Sequence, residues 1–135
     1  MDLVLDASVM LRWYFVDEGA GSDELIRSLA SRQVFVPSHW QAEVANGIIV
    51  GERRGRALLA DIGRLRALVE TFEPFVDREG ADTALDRVLP LARAHRLTVY
   101  DAMYLELAGR RGLALATFDG PLGDAARSVG ITVLH

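Results

Sequence analysis

Short apolar runs alternate with longer amphipathic segments along this chain, and the two kinds of segment predict strands and helices in turn. The first run, Leu3-Val4-Leu5, lacks polar alternation, which is typical of a strand buried on both faces. Pro74 lies inside a later run and indicates that this strand is at an edge of the sheet. We predict strands over residues 2–6, 33–36, 72–76, 113–117 and 131–134.

The segments between these runs carry apolar residues at helical spacing. We predict helices over residues 7–14, 23–32, 38–53, 56–69, 79–95, 100–111 and 121–129. Ser38 is the expected cap of the third helix, and Pro90 is expected to break or kink the fifth after Leu89. Strands that alternate with helices predict an α/β fold, a three-layer α/β/α arrangement with a mainly parallel sheet. We expect one domain over residues 1–135.

The composition is that of an ordinary globular protein, since 50% of the 135 residues are hydrophobic and 25% are charged. Apolar runs fall well short of the roughly 20 residues that span a bilayer, and the first residues do not form a signal-peptide pattern. Cysteine is absent, which excludes disulfides and thiolate chemistry. We therefore predict a cytoplasmic protein without a membrane partner.

Charge and residue usage exclude several kinds of site. The formal net charge of −4 argues against a broad basic surface for nucleic acid. All the basic residues are arginine, so a Walker-type phosphate loop and Schiff-base chemistry, which both need lysine, are excluded. The Gly-x-Ser-x-Gly pattern of a nucleophile elbow is absent as well. Metal chemistry based on carboxylates remains open.

Four acidic residues occupy positions where such chemistry is expected. Asp6 and Asp119 each follow a buried strand, and ligands of open parallel sheets bind beyond the carboxyl ends of the strands. Asp101 begins a helix within an unusually apolar stretch, and Glu43 borders the apolar face of the third helix. For each acid there is a structural alternative, such as capping a helix.

Taken together, the four acids favour a metal site. At about 4 Å and an effective dielectric constant near 20, each pair of like charges costs on the order of 4 kcal/mol. Four acids in one pocket therefore need protons or cations, and Mg²⁺ or Mn²⁺ prefers oxygen ligands. Beside Glu43, glycines 47, 51 and 55 recur at intervals of four. This stripe indicates close helix packing or, alternatively, a floor left open for a substrate.

The order and spacing of four segments resemble a known family. These segments are Leu-Asp-Ala-Ser at 5–8, Glu-Val-Ala-Asn at 43–46, Leu-Thr-Val-Tyr-Asp-Ala-Met-Tyr-Leu at 97–105 and Ala-Thr-Phe-Asp-Gly-Pro-Leu at 116–122. Together they resemble the PIN-domain ribonucleases and, more closely, the VapC toxins of bacterial toxin–antitoxin pairs. The resemblance extends over essentially the whole chain, and the segments around Asp101 and Asp119 are its most specific parts.

This resemblance implies a PIN fold with a five-stranded parallel sheet and an acidic pocket that holds Mg²⁺ or Mn²⁺. The family's acidic quartet falls on Asp6, Glu43, Asp101 and Asp119, with Asp6 and Asp101 as the principal ligands. Ser8 and Thr117 match the small polar positions that support the metal site by hydrogen bonding. The implied activity is metal-dependent hydrolysis of RNA phosphodiester bonds. The implied partners are a cognate antitoxin and a second copy of the chain.

Other interpretations remain open at this stage. Arg53, Arg54 and Arg56 form the densest basic cluster and are candidate RNA contacts, although solvated arginines at a helix end are the favoured interpretation. We assign Trp13, Tyr14, Trp40 and Tyr104 to packing in preference to base stacking, and the three histidines show no ligand spacing. The alternative functions are a non-catalytic PIN-like module that binds RNA or protein and a magnesium-dependent phosphatase. The phosphatase would need Asp-x-Asp and a lysine, which the sequence lacks.

Overall fold

The computed structural model describes residues 2–15, 23–56 and 61–135. Its strands are β1 (Leu3–Leu5), β2 (Val34–Pro37), β3 (Phe75–Asp77), β4 (Ala114–Ala116) and β5 (Val133–Leu134). Its helices are α1 (Ala7–Tyr14), α2 (Asp23–Ser28), α3 (Trp40–Arg53), α4 (Ile62–Phe72), α5 (Glu79–Asp82), α6 (Leu89–His95), α7 (Val99–Arg111) and α8 (Gly120–Ser128). A 3₁₀ turn (Leu29–Ser31) extends α2, and a π-helical turn (Ala84–Val88) precedes α6.

The described strands form one five-stranded parallel sheet in the order β3-β2-β1-β4-β5. The strand β1 is central and fully buried, as its unbroken apolar sequence predicts. The chain adds β2 and β3 on one side of β1 and then returns to add β4 and β5 on the other. A crevice therefore opens beyond the carboxyl ends of β1 and β4, where such sheets bind ligands. The predicted α/β fold is confirmed.

Most predicted elements are present, but three details were wrong. The third helix begins at Trp40 with His39 at its N-cap, so Ser38 is not the cap. The predicted helix over 79–95 is divided into α5, the π-helical turn and α6. Pro90 lies in the first turn of α6, which begins at Leu89, because a proline is tolerated there and not farther inside a helix. The break therefore precedes Leu89 instead of following it.

Two predicted boundaries moved by several residues. Asp61 caps α4 through a hydrogen bond of 2.9 Å from the Arg64 amide, so this helix begins later than predicted and continues to Phe72. Residues 57–60 of the predicted helix lie outside the described residues. The strand β3 begins at Phe75, after Pro74, and is the edge strand that the proline indicated.

The glycine stripe serves close packing of α1 against α3. A Cβ atom at Gly47 would lie 2.3 Å from Leu11 Cδ1, and one at Gly51 would lie 2.3 Å from Phe15 Cζ. Gly55 lies beyond the end of α3, with a φ of +73° that favours glycine. The packing interpretation is therefore confirmed for Gly47 and Gly51. In the described part of the chain, none of the helices is long and apolar enough to cross a membrane.

Candidate active site

Asp6 is held between two hydroxyl groups at the end of the central strand. Its side chain is buried, and its Oδ2 accepts hydrogen bonds from Ser8 Oγ at 2.6 Å and Thr117 Oγ1 at 2.7 Å. Ser8 lies in the first turn of α1, and Thr117 follows β4. The Asp6 amide donates to the Ala116 carbonyl at 2.9 Å, which ties the residue to the neighbouring strand. The carboxylate is thus fixed by elements on both sides of the crevice.

The surroundings of Asp6 disfavour its negative charge. Burial raises its pKa from 3.8 to about 6, against the opposing effect of the Ser8 and Thr117 hydrogen bonds. The charges of Glu43 and Asp101 raise the pKa further. The described basic residues form no ion pair with Asp6. The Asp6 carboxylate therefore lacks a compensating ion pair among the described residues, although His39 acts to lower the pKa of its neighbours Glu43 and Asp101.

Glu43 is held by a buried tyrosine. The Tyr104 hydroxyl donates to Glu43 Oε1 at 2.5 Å, and His39 Nε2 lies 3.4 Å from the same oxygen. The histidine contact lacks the geometry of a hydrogen bond, and His39 acts on Glu43 electrostatically. Burial raises the pKa of Glu43, but the contacts with His39 and Tyr104 outweigh it and hold the pKa below its ordinary value. Glu43 therefore stays ionised more readily than Asp6, whose pKa is raised to about 6.

Asp101 and Asp119 lie at the starts of two helices. Thr98 Oγ1 caps α7 by accepting from the Asp101 amide at 3.1 Å, which leaves the Asp101 carboxylate outside the cap. Burial raises the pKa of Asp101, as do the charges of Asp119 and Glu43. Asp119 itself caps α8, since its Oδ1 accepts from the Leu122 amide at 2.8 Å. The capping alternative is thus realised for Asp119, while its charge still acts on Asp101.

The quartet residues interact electrostatically without forming a closed ligand cluster. Among residues 2–15, 23–56 and 61–135, no three histidine, cysteine or acidic side chains are grouped closely enough to hold a metal ion by themselves. Mg²⁺ commonly uses one or two carboxylates and keeps several water ligands. The oxygen donors and the negative charge around Asp6 and Asp101 fit an ion bound in that way. Coordination by all four acids stays a prediction.

A cavity of about 430 Å³ lies beside Glu43 and Asp101. Its other lining residues include His39, Asn46 and Tyr100. His39 lies against Tyr100 and Tyr104, with ring centroids 5.4 Å apart in both pairs. The aromatic partners of His39 come from a different helix, so the spacing of histidines along the sequence offers no signal for these ring contacts. A second, mainly apolar cavity of about 500 Å³ between α3 and α4 contains none of the quartet.

The predicted RNA-contact arginines lie at the far end of α3. Arg53 is in the last turn of the helix, ten residues after Glu43, and ten helical residues span about 15 Å. Arg54 is exposed at the C-cap, and Arg56 Cζ lies 4.1 Å from the centroid of the Phe15 ring. The structure therefore separates this cluster from Glu43, and its contact with RNA stays a prediction.

Asp77 is another buried acid, but it belongs to a different group. Its two oxygens accept from Arg110 Nη1 at 3.0 Å and Nη2 at 2.7 Å, and the Gly80 amide donates to Oδ2 at 3.1 Å. Arg110 also bonds Glu106 on the same helix. Although burial opposes it, these contacts lower the pKa of Asp77. The network neutralises Asp77 and anchors the end of α7 to β3.

Comparison with known proteins agrees with this geometry. The family model described as the PIN domain matches residues 3–127. The chain is 32% identical over 126 residues to Ribonuclease VapC3 of Pyrobaculum aerophilum, an alignment that covers 92% of this chain and 94% of that protein.

Two solved structures share the fold. PAE2754 from Pyrobaculum aerophilum has a TM-score of 0.69 and 26% identity, with 98% of this chain and 83% of that chain covered. FitAcB from Neisseria gonorrhoeae has a TM-score of 0.56 and 16% identity, with 98% and 96% covered. The match of the family model over nearly the whole chain, the identity to a VapC ribonuclease and the parallel sheet with its acidic crevice agree with one another. The chain therefore belongs to the PIN-domain family.

Proposed function

We propose that this protein is a metal-dependent ribonuclease that acts as the toxin of a toxin–antitoxin pair. The observation that carries the proposal is the clamped, buried Asp6 at the sheet crevice, whose charge is disfavoured by Glu43 and Asp101. The relative named Ribonuclease VapC3 supports the substrate class. Residues 1–135 would act as one domain in the cytoplasm, with Mg²⁺ or Mn²⁺ as cofactor.

Each acid of the quartet would have a role in the reaction. Asp6 and Asp101 would hold the ion, with Asp6 oriented by Ser8 and Thr117. A bound divalent ion supplies acidification of water and neutralisation of the charge that develops on the phosphate. Glu43, kept ionised by Tyr104 and His39, would contribute a fixed negative charge that helps to hold the ion. Asp119 has one oxygen committed to the α8 cap, so its second oxygen is the one free to face the site.

The proposal is tested by cleavage of a structured RNA in the presence of Mg²⁺ or Mn²⁺ and after chelation with EDTA. We expect cleavage only with the metal, and a loss of at least 100-fold in kcat/KM for Asp6→Asn and Asp101→Asn, because removing a charge that acts in the transition state costs rate on that scale. The control is Asp124→Asn, which removes a largely exposed acid paired with Arg127. Cleavage that survives EDTA and both substitutions would contradict the metal mechanism.

Two further parts of the proposal concern partners. By its likeness to VapC, the protein would bind a cognate antitoxin and would associate with a second copy of itself. Co-purification with the product of the neighbouring reading frame tests the first, and light scattering of the isolated chain tests the second. A chain that binds RNA without cutting it would favour the non-catalytic module instead.

A further inference from the structure

Arg12 lies on α1 next to the segment that carries Thr117 and Asp119. It follows Ser8 by one helical turn, so the two side chains share one face of α1. Its Cζ lies 4.2 Å from the centroid of the Phe118 ring, and the Phe118 amide donates to Ser8 Oγ at 3.0 Å. Phe118 separates Thr117 from Asp119 in the sequence. The guanidinium is thus held on an aromatic ring within the segment that completes the site.

Among the described residues, the charge of Arg12 has no carboxylate partner. Within the described ranges, no carboxylate forms an ion pair with it, and its Nε is buried without a hydrogen-bond acceptor. A buried donor without an acceptor is unfavourable unless a ligand supplies one. The carboxylates of Asp6 and Asp101 do not supply this acceptor, although the pKa values of both are raised by burial and by neighbouring negative charge. Arg12 therefore places a cation that has no carboxylate partner among the described residues against Phe118, between Thr117 and Asp119 in the sequence.

The chemistry of this cation suits a phosphate. A guanidinium stacked on an aromatic ring keeps the donors at its edge available, and these donors match two oxygens of a phosphate. The chain has a formal net charge of −4, so an RNA strand that approaches the acids needs local positive charge. Arg53, by comparison, lies about 15 Å along α3 from Glu43, from its ten-residue separation.

We propose that Arg12, held in place by Phe118, binds a backbone phosphate of the RNA strand that enters the acidic crevice. The inference rests on RNA as the substrate, and it goes beyond the acidic quartet by assigning a substrate contact on α1. Arg12 contacts the nucleic acid directly, while Phe118 is a positioning residue.

The test compares Arg12→Gln with Arg93→Gln, which removes the same charge from an exposed position on α6. Binding of a labelled single-stranded RNA is measured by fluorescence anisotropy at several salt concentrations, with each change made in Asp101→Asn protein so that the RNA is not cut. We expect Arg12→Gln to weaken binding about tenfold and to reduce the slope of log Kd against log salt by about one. Arg93→Gln should change neither. Equal affinities and slopes for the two variants would overturn the proposal.

Two further measurements separate contact with phosphate from support of the fold. Arg12→Lys keeps the charge but not the planar donor pair, so we expect the salt slope of the parent with an intermediate Kd. A slope that falls as far for Arg12→Lys as for Arg12→Gln would indicate lost structure and would overturn the proposal. The binding assay does not depend on cleavage. If the wild type binds RNA through Arg12 but fails to cut it with metal, the nuclease proposal fails and the Arg12 contact stands.

Discussion

The hydroxyl of Tyr104 joins three parts of the chain that are distant in sequence. It lies on α7, donates to Glu43 on α3 and accepts from the Ala7 amide at 3.3 Å where α1 begins. The side chain is fully buried, so these contacts are not replaced by water in the folded protein. The hydroxyl therefore orients Glu43 relative to the neighbour of Asp6.

Replacing Tyr104 with Phe removes this hydroxyl and keeps the ring. We expect the free energy of unfolding to fall by about 1.5–3 kcal/mol, since a hydrogen bond to a charged group is lost. The pKa of Glu43 should rise as well, because the hydroxyl helps to hold it down. Urea unfolding measures the first effect and NMR titration the second. Tyr100→Phe is the control, since Tyr100 is 63% exposed, and equal results for both variants would contradict the role of Tyr104.

Residue-scale roles divide into those that a single sequence can predict and those that it cannot. Asp6 and Asp119 could be proposed because each follows a buried strand, a pattern visible within ten residues. Packing of Tyr104 was predicted and is confirmed, but its bond to Glu43 was not predicted. That partner is 61 residues away, and no local periodicity indicates it. The same holds for Arg12 and Phe118.

At the scale of elements, the contact between α1 and α3 sets the spacing of the site. The first helix carries Ser8 and Arg12, and the third carries Glu43. The close approach of α1 and α3 depends on Gly47 and Gly51. A Cβ atom at Gly47 would overlap the Leu11 side chain, and one at Gly51 would overlap the Phe15 side chain.

We therefore expect Gly51→Ala to destabilise the protein. Phe15 is buried, so its ring has little room to move, and overpacking typically costs about 1–3 kcal/mol. Gly109→Ala is the matched control, because Gly109 is also helical but is exposed, with nothing within 4 Å of an added Cβ among the described residues. It should instead gain about 0.5–1 kcal/mol from helix propensity. Chemical denaturation of both variants measures these changes in the free energy of unfolding. An increase for Gly51→Ala would refute close packing of α1 against α3.

The pattern of apolar positions predicted the element types well and some boundaries poorly. Helices with clear periodicity, such as α1 and α7, were placed within one residue. The π-helical turn at Ala84–Val88 was missed because it alters backbone hydrogen bonding without interrupting the apolar pattern. The cap of α3 was misplaced because Ser38 has the right chemistry, whereas the turn that places His39 at the cap is set by the surrounding fold.

At the scale of the whole molecule, the buried acids make stability depend on pH. The folded state raises the pKa of Asp6 from 3.8 to about 6, so the folded protein binds a proton more tightly than the unfolded chain. Stability from this source is complete below pH 4 and is lost as the pH rises to about 6, with a loss of about 3 kcal/mol. Asp101 acts in the same direction. The lowered pKa values of Glu43 and Asp77 act in the opposite direction: their stabilisation is present above the ordinary values of 4.5 and 3.8 and is lost as the pH falls through the folded pKa values.

The expected result is that the metal-free protein loses stability between pH 4 and 6.5. Asp6→Asn and Asp101→Asn should raise its melting temperature at pH 7, and Asp124→Asn should not. Adding Mn²⁺ at pH 7 should restore stability to the wild type, since the ion binds the ionised acids of the folded state. Thermal unfolding from pH 4 to 7, in EDTA for the metal-free protein and in Mn²⁺ for the loaded protein, provides the measurement. A melting temperature that falls on either acid substitution would contradict a crowded acidic pocket.

The strand order could be anticipated only through family resemblance. Alternating strands and helices predict a parallel sheet, but not which strands are neighbours. The adjacency of β1 and β4 brings Asp6 to Thr117, and it results from a return of the chain across the centre of the sheet.

That adjacency has a consequence for partly unfolded molecules. A chain in which β4 has detached would retain most of its helical content, yet it would lose the Thr117 hydroxyl and the register that holds Asp6. Helix content measured by circular dichroism would then overestimate the fraction of molecules that have an intact site. The NMR signal of Thr117, measured in the same sample, would report the fraction of molecules in which Thr117 is bonded to Asp6.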